Sequence, residues 1–472
     1  MKSVSLSMTP LALAMLLCAC ATGPNYKAPG NPQLGVPDQY LPGPFDTRAT
    51  GNQEQLSAWW DQFSDPTLSE LVRAALKDNP DLQQSVERAR QARENRHQSR
   101  AALLPTLAAG NSSTFSYGKP AEGWSYSVGL DATWTLDLAG GARRGVEAAS
   151  ASYEAAGFNL ANARALIAAE TAQAYFDVLS TRQRILIAQS SVEAQDKNLQ
   201  IAQWRFEAGL GSRLDVAQAG AQRAQIAASL PQLRKFEAQS RYRLALVQGS
   251  APGSVDAPLA DRIELPRVPG NIDLGIPADL LRRRPDLGAA ERELAAATAQ
   301  IGVSSARLFP SLTLSGALDT SASTVSALGE VLTGRVIASV SQLLFDGGRQ
   351  RSAKRSQVAA AGGALARYRA AVLGALKDVE SARVDLISSA ERVQLLHEQV
   401  AASETAALLA RNNYRAGIVD MRTLLEAERT LLAARDTLVG AQADRVAGCA
   451  RLFVALGGGW DSRNLREILE KS

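Results

Sequence analysis

From Trp124 to Leu136 the chain alternates without a break. Trp124, Tyr126, Val128, Leu130, Ala132, Trp134 and Leu136 are apolar, while Ser125, Ser127, Gly129, Asp131, Thr133 and Thr135 are polar or small. A period of two predicts a strand with one apolar and one wet face. Its expected partner is Thr106 to Tyr117, with a turn near Lys119-Pro120. A second pair is expected at Ser311 to Asp319, with Leu312, Leu314 and Leu318 on one face, and at Val331 to Ser341, with Leu332, Val336, Ala338 and Val340 on one face. The edge of a soluble sandwich shows the same alternation. Trp124, Tyr126 and Trp134 on the apolar face suit instead a strand that faces lipid, with aromatics at its interfaces. The second pair is nearly free of aromatics.

Upstream of the first pair, Pro66 to Leu103 reads as a helix ending near Pro105. Downstream of each pair a Gly-Gly dipeptide (Gly140-Gly141, Gly347-Gly348) opens a run with a period of seven. The second run, about Arg349 to Arg415, carries Val358, Leu365, Val372, Val379, Leu386, Val393, Val400, Ala407 and Tyr414. Such a repeat sets a left-handed supercoil. The first run, about Ala142 to Glu207, keeps the beat at Val146, Tyr153, Leu160, Ile167 and Ala174. It then shifts by four to Val178, Ile185, Val192, Leu199 and Phe206, a stutter that locally unwinds the coil. At 1.5 Å per residue each helix is roughly 100 Å long, a reach no compact enzyme needs. Ala208-Gly209-Leu-Gly211-Ser212-Arg213 and Ala416-Gly417-Ile-Val-Asp420-Met421-Arg422 each end a long helix at a glycine and start another, the pattern of an antiparallel helix hairpin.

The whole pattern occurs twice. Pro80-Asp81-Leu82 returns as Pro285-Asp286-Leu287, Leu104-Pro105 as Phe309-Pro310, Ala208-Gly209 as Ala416-Gly417, and Leu244-x-x-Leu-x-Gly249 as Leu452-x-x-Leu-x-Gly457. Four landmarks in one order mark a duplicated unit. The expected organisation is a signal peptide (1–19), an extended arm rich in Gly and Pro (20–55), a first repeat (56–249; β-hairpin 104–138, tip 208–214) and a connector (250–276). A second repeat (277–457; β-hairpin 309–346, tip 416–422) and a tail (458–472) complete it. Two hairpins supply four strands, and a four-stranded sheet in lipid has open edges. Each unpaired backbone group there costs several kcal/mol, so other copies of the chain must complete the wall.

Composition narrows the classes. Hydrophobic residues make up 46% of the 472 and aromatics 5%, and the formal net charge is +4, too small and evenly spread for nucleic-acid binding. Lys2 followed by the short apolar run Leu11 to Leu17 is a targeting segment, too short to span a bilayer. Leu17-Cys18-Ala19-Cys20 resembles a bacterial lipobox, which implies cleavage after Ala19 and acylation of Cys20; the alternative is an ordinary signal peptide that contains cysteines. In such lipoproteins an aspartate after the cysteine signals inner-membrane retention; Ala21 stands there and points to the outer membrane. Cys449 would then be the one remaining thiol, so no intrachain disulfide is expected. His97 and His397 have no further ligand near them in sequence, so no metal is expected. No nucleophile motif or phosphate loop stands out; Gly457 to Gly459 follow a helix without the strand–loop–helix context such a loop needs. The expectation is no enzyme, and no cofactor beyond the covalent lipid on Cys20.

The residues resemble the TolC-like outer-membrane efflux channels, specifically the lipidated OprM/NodT branch. The carriers are Cys20-Ala-Thr-Gly-Pro-Asn-Tyr-Lys-Ala-Pro29, Trp59-Trp60-Asp-Gln-Phe63-Ser-Asp65-Pro66-Thr-Leu68, Leu280-Leu-Arg-Arg-Arg-Pro285-Asp286, Ala299-Gln-Ile-Gly302, Leu308-Phe-Pro310 and Ala455-Leu-Gly-Gly-Gly-Trp460. The resemblance implies a mixed α and β membrane protein: a homotrimer whose 12-stranded β-barrel, four strands per chain, continues into a long periplasmic α-helical coiled-coil tunnel. It implies a partnership with a periplasmic adaptor and an inner-membrane pump of the resistance-nodulation-division type, with outer-membrane lipid around the barrel.

The same resemblance places adaptor contacts and pore closure at the two tips, at Gly209, Gly211, Ser212, Gly417 and Asp420. Asp215 and Tyr414 match an acid and a tyrosine that hydrogen-bond across helices in the closed channel, while the arginine that joins that lock is replaced by Val419. Glu426 stands where the family has a constriction aspartate, Thr423 where it has a second one, and Arg422 where OprM has a constriction leucine. Rings of Arg422 and Glu426 would form ion pairs that shut the pore; the plainer reading is an i, i+4 pair on a wet helix face. Function is read as a passive exit duct for drugs or other small solutes. The alternatives are an outlet for metal ions or a secreted polypeptide, or a pore-less structural lipoprotein, against which the strand hairpins argue.

Overall fold

A computed structural model describes residues 21–41, 56–118, 120, 122–270 and 277–461. The signal segment and Cys20 lie outside these residues. The first half of the chain forms α1 (Pro66–Asp78), α2 (Pro80–Ala101), β1 (Thr106–Ser116), β2 (Gly123–Leu136), α3 (Gly141–Glu207) and α4 (Arg213–Val247). The second half forms α5 (Pro277–Arg283), α6 (Pro285–Ala306), β3 (Ser311–Ala322), β4 (Thr333–Ser341), α7 (Arg349–Arg415) and α8 (Met421–Ala455). Lengths recur with the order: α3 and α7 are each 67 residues, and α4 and α8 each 35.

The helix expected from Pro66 to Leu103 is two. Asn79 has φ −65° and ψ 126°, because a residue before proline is pushed out of the helical region. Its side chain then serves both neighbours: Oδ1 accepts from the Leu82 N–H at 2.9 Å, and Nδ2 donates to the Val247 carbonyl at 2.6 Å. β3 runs past Asp319 to Ala322 because the longer β2 partners it as far as Tyr126, whereas β4 pairs only from Thr333. Val331 and Leu332 therefore precede the strand and are exposed.

The chain divides into two compact units. The first unit holds the described residues of 21–30, 87–158 and 287–371. Its strands form one antiparallel sheet in the order β1-β2-β3-β4. The register sorts the two faces. Trp124, Leu130, Ala132 and Trp134 oppose Phe115, Ala109 and Leu107 on β1, and Leu318, Gly316 and Leu314 on β3; Val336, Ala338 and Val340 continue that apolar face on β4. The other face carries serines and threonines with Asp131, Asp319 and Arg335, and places Asp131, Ala317 and Arg335 in one cross-strand row. Neither face has a core against it: every residue of β1 and of β4 is exposed, including Leu107, Phe115, Val336 and Val340. Among the described residues no helix is long and apolar enough to cross a membrane.

The second unit holds the described residues of 31–86, 159–286 and 372–461. Trp59 is fully buried and stacks on Phe453 at 5.9 Å, with Phe63 and Phe176 packed around them. The Asp65 carboxylate caps α1 through the Thr67 and Leu68 N–H groups and accepts the Tyr175 hydroxyl at 2.8 Å. Gly457 to Gly459 are packing residues: a Cβ at Gly457 would lie 2.6 Å from the Arg283 carbonyl oxygen, and one at Gly459 3.0 Å from Ala165 Cα. The period-seven stripe of α7 is buried at Val372, Val379, Leu386, Val393, Ala407 and Tyr414.

Candidate functional site

The two helix-hairpin tips, both in the second unit, hold every candidate residue of the sequence analysis apart from Cys20. The ends of α3 and α7 are built alike. At the first, the Gly209 N–H bonds the Phe206 carbonyl and the Leu210 N–H bonds that of Arg205; at the second, Gly417 bonds Tyr414 and Ile418 bonds Asn413. This double bond pattern closes a helix on a left-handed residue. Gly209 and Gly417 meet that demand at φ +73° and +74°. The restarting helices carry side-chain caps. Ser212 and Asp215 exchange two 3.1 Å bonds in a capping box on α4. On α8 the Asp420 carboxylate accepts from the Thr423 N–H at 2.9 Å and its hydroxyl at 2.6 Å, which holds Asp420 below the usual carboxylate range.

Between the tips lies a shared apolar core of Ala202, Ala219, Ala410, Tyr414, Met421, Leu424 and Leu425, with Val419 packed at its edge. Arg205 at the end of α3 locks the two tips together. Its guanidinium donates to the Tyr414 carbonyl at 2.7 Å and to the Leu210 carbonyl at 3.2 Å, and lies 4.9 Å from the centre of the Tyr414 ring. The Tyr414 side chain is buried, and its hydroxyl has no hydrogen-bond partner in the protomer. Burial pushes that hydroxyl up, Asp215 adds to the shift and Arg205 opposes it.

The structure thus brings Asp215, Tyr414 and the tip glycines into one neighbourhood, but no Asp215–Tyr414 hydrogen bond forms within the protomer; Asp215 is engaged by Ser212 instead. The arginine missing at Val419 has a counterpart in Arg205, from the other hairpin. The i, i+4 pairing of Arg422 with Glu426 does not form either. Glu426 stands 3.8 Å from Arg429, and both side chains are largely exposed. Arg422, Thr423 and Glu426 line an open groove of about 610 Å³ on the exposed face of α8, together with Asp420, Ser403 and Thr430. Further along α8, Arg411 pairs with buried Glu428, Arg435 with Glu404, Arg184 with Asp436, and Arg429 donates to Gln222. The first two bonds hold α7 against α8 within one hairpin, and the last two tie the two hairpins side by side.

The chain matches the family model described as outer membrane efflux protein over residues 71–250 and 276–458. It is 31% identical to a nodulation protein T of Rhizobium leguminosarum bv. viciae over 99% of this chain and 96% of that one. It is 29% identical to the pyoverdine export outer membrane protein OpmQ of Pseudomonas aeruginosa, covering 98% of each. Among solved structures, the outer-membrane channel OprN superposes with a TM-score of 0.86 at 35% identity, over 93% of this chain and all of that one. A family match across both halves, on a fold with lipid-suited strands and paired helix hairpins, leaves one conclusion: the chain belongs to the outer membrane efflux protein family.

Proposed function

We propose that this protein is the outer-membrane channel of a tripartite efflux system, a passive exit duct for drugs or other small solutes delivered by an inner-membrane pump through a periplasmic adaptor. The carrying observation is the sheet. It has one apolar and one polar face, no core on either, and its outer strands β1 and β4 each have one unpaired side. In hydrocarbon those edges are untenable, so they pair with the edges of neighbouring copies. Three copies give twelve strands, an even number within the range of bacterial barrels. The row of Asp131, Ala317 and Arg335 then faces the lumen. Acylation of Cys20 anchors the chain in the outer membrane, and the two tips meet the adaptor in the periplasm.

The exposed face of α8 is the natural gate. Arg422 and Glu426 have no ionic tie to one another in the protomer, and Glu426 meets Arg429 only at 3.8 Å on an exposed face, so a neighbouring copy can recruit both charges. Arg422→Ala and Glu426→Ala should each raise single-channel conductance in planar bilayers; unchanged conductance in both removes the gate. For the channel itself, the purified chain should conduct in the same bilayers, and its deletion should raise intracellular accumulation across a compound panel. A protein that binds membranes but never conducts is a structural lipoprotein instead.

A further inference from the structure

The start of the arm is not a loose leash. The Thr22 N–H and hydroxyl donate to the Ala139 carbonyl at 3.1 and 3.0 Å, where β2 hands over to α3. Arg144, 5% exposed, turns back from α3 and clasps the same segment. Its Nε donates to the Thr22 carbonyl at 3.2 Å, and one terminal nitrogen donates to the Gly23 carbonyl at 3.3 Å and to Asn25 Oδ1 at 2.6 Å. The other terminal nitrogen pairs with Glu147 at 2.6 Å, so the buried charge is neutralised.

The groove has no room for side chains. A Cβ on Gly23, at φ +94°, would lie 2.5 Å from Gly302 Cα. One on Gly302 would lie 2.7 Å from both Arg144 Cγ and the Thr22 carbonyl oxygen, and one on Gly140 2.6 Å from Ala21 Cα. Further on, the Tyr26 hydroxyl donates to Glu291 at 2.9 Å beneath the Arg292 guanidinium. A floppy tether would need neither three glycines at closest approach nor a buried arginine.

We propose that Arg144, Gly140 and Gly302 form a receptor for residues 21–26, whose role is to fix the acylated Cys20 at the junction of β2 and α3. The proposal rests on the reading of Cys20 as the lipid-bearing terminus. Cys20 stands two residues before Thr22, so at most about 7 Å of chain separates it from the residue bonded to the β2–α3 junction. The anchor and the sheet then enter the membrane as one body, and the lipid sets the level of the sheet in the bilayer.

A double-mutant cycle in the full chain tests this. One axis is Arg144→Ala, with Gly302→Val as a second way to close the groove. The other is Cys20→Ser behind an ordinary cleavable signal peptide, with palmitate labelling to report the lipid. In the lipidated parent, the Thr22 amide, which donates to the Ala139 carbonyl, should be protected from hydrogen exchange, and each groove variant should reduce that protection about tenfold. The same variants should cut the yield of outer-membrane oligomer severalfold when the lipid is present and leave it unchanged in the Cys20→Ser background. Equal losses in both backgrounds, or full protection in both groove variants, overturn the proposal, since Arg144 would then be structural only. Absence of palmitate from the parent overturns it together with the lipid-anchor reading; label retained with equal losses overturns this proposal alone.

Discussion

Arg205 joins two hairpins that lie far apart in sequence. Three carbonyl contacts and the Tyr414 ring hold one guanidinium, and such charge-assisted bonds contribute about 1.5–3 kcal/mol each when a partner is removed. Arg205→Ala should therefore speed amide exchange at Gly209, Leu210, Gly417 and Ile418 by tenfold or more while leaving the Trp59 core protected. Arg205→Lys should not rescue, because a point charge cannot span carbonyls on both tips. Unchanged exchange in Arg205→Ala would show the tips to be independent. Nothing in the local sequence signals this residue. A basic side chain in the last turn of a helix is ordinary, and its partner Tyr414 becomes a neighbour only through the fold. The tip glycines were legible because turn chemistry is local; the side-chain caps were read instead as contact and gate residues, and the lock was not legible because it is long-range. Cys449 is the opposite case: a lone cysteine in a helical pattern reads as a buried small hydrophobe, and it is fully buried in α8. Burial pushes it up to about 12. The thiol should resist alkylation at neutral pH until the protein is denatured. The stability linked to its protonated form is intact below the unfolded thiol's value and is lost as pH rises from there toward 12.

At the level of elements, period carried the most information. Alternation from Trp124 to Leu136 located β2 to within one residue, since a one-residue slip would invert every side chain. Alternation already put Asp131 on the polar face, but only the register places it in one row with Arg335. Two substitutions separate the faces. Leu130→Arg, on the apolar face, should cost about 2–4 kcal/mol near mid-bilayer and sharply reduce outer-membrane recovery. Thr133→Arg, on the polar face, should be recovered normally and shift ion selectivity toward anions. Equal recovery of both variants would mean that neither face meets lipid. The long helices show where period misleads. The α7 stripe predicts Val358 and Leu365 inside, yet both are exposed, and Ala361, Ala364 and Tyr368 are buried in their place. Small residues allow close helix contact there, while Val358 and Leu365 remain apolar surface.

For the molecule as a whole, the sequence repeat and the lipid-suited strands announced a wall that one chain leaves incomplete. The structure gives that inference its physical form in the unpaired sides of β1 and β4. The number of copies was not legible, because strand count per chain limits closure without fixing it. The most direct test is the native mass of the detergent-extracted particle. Three copies of the processed chain are expected, with no lone protomer that keeps all four strands. A stable single copy whose strands remain protected from exchange would contradict this.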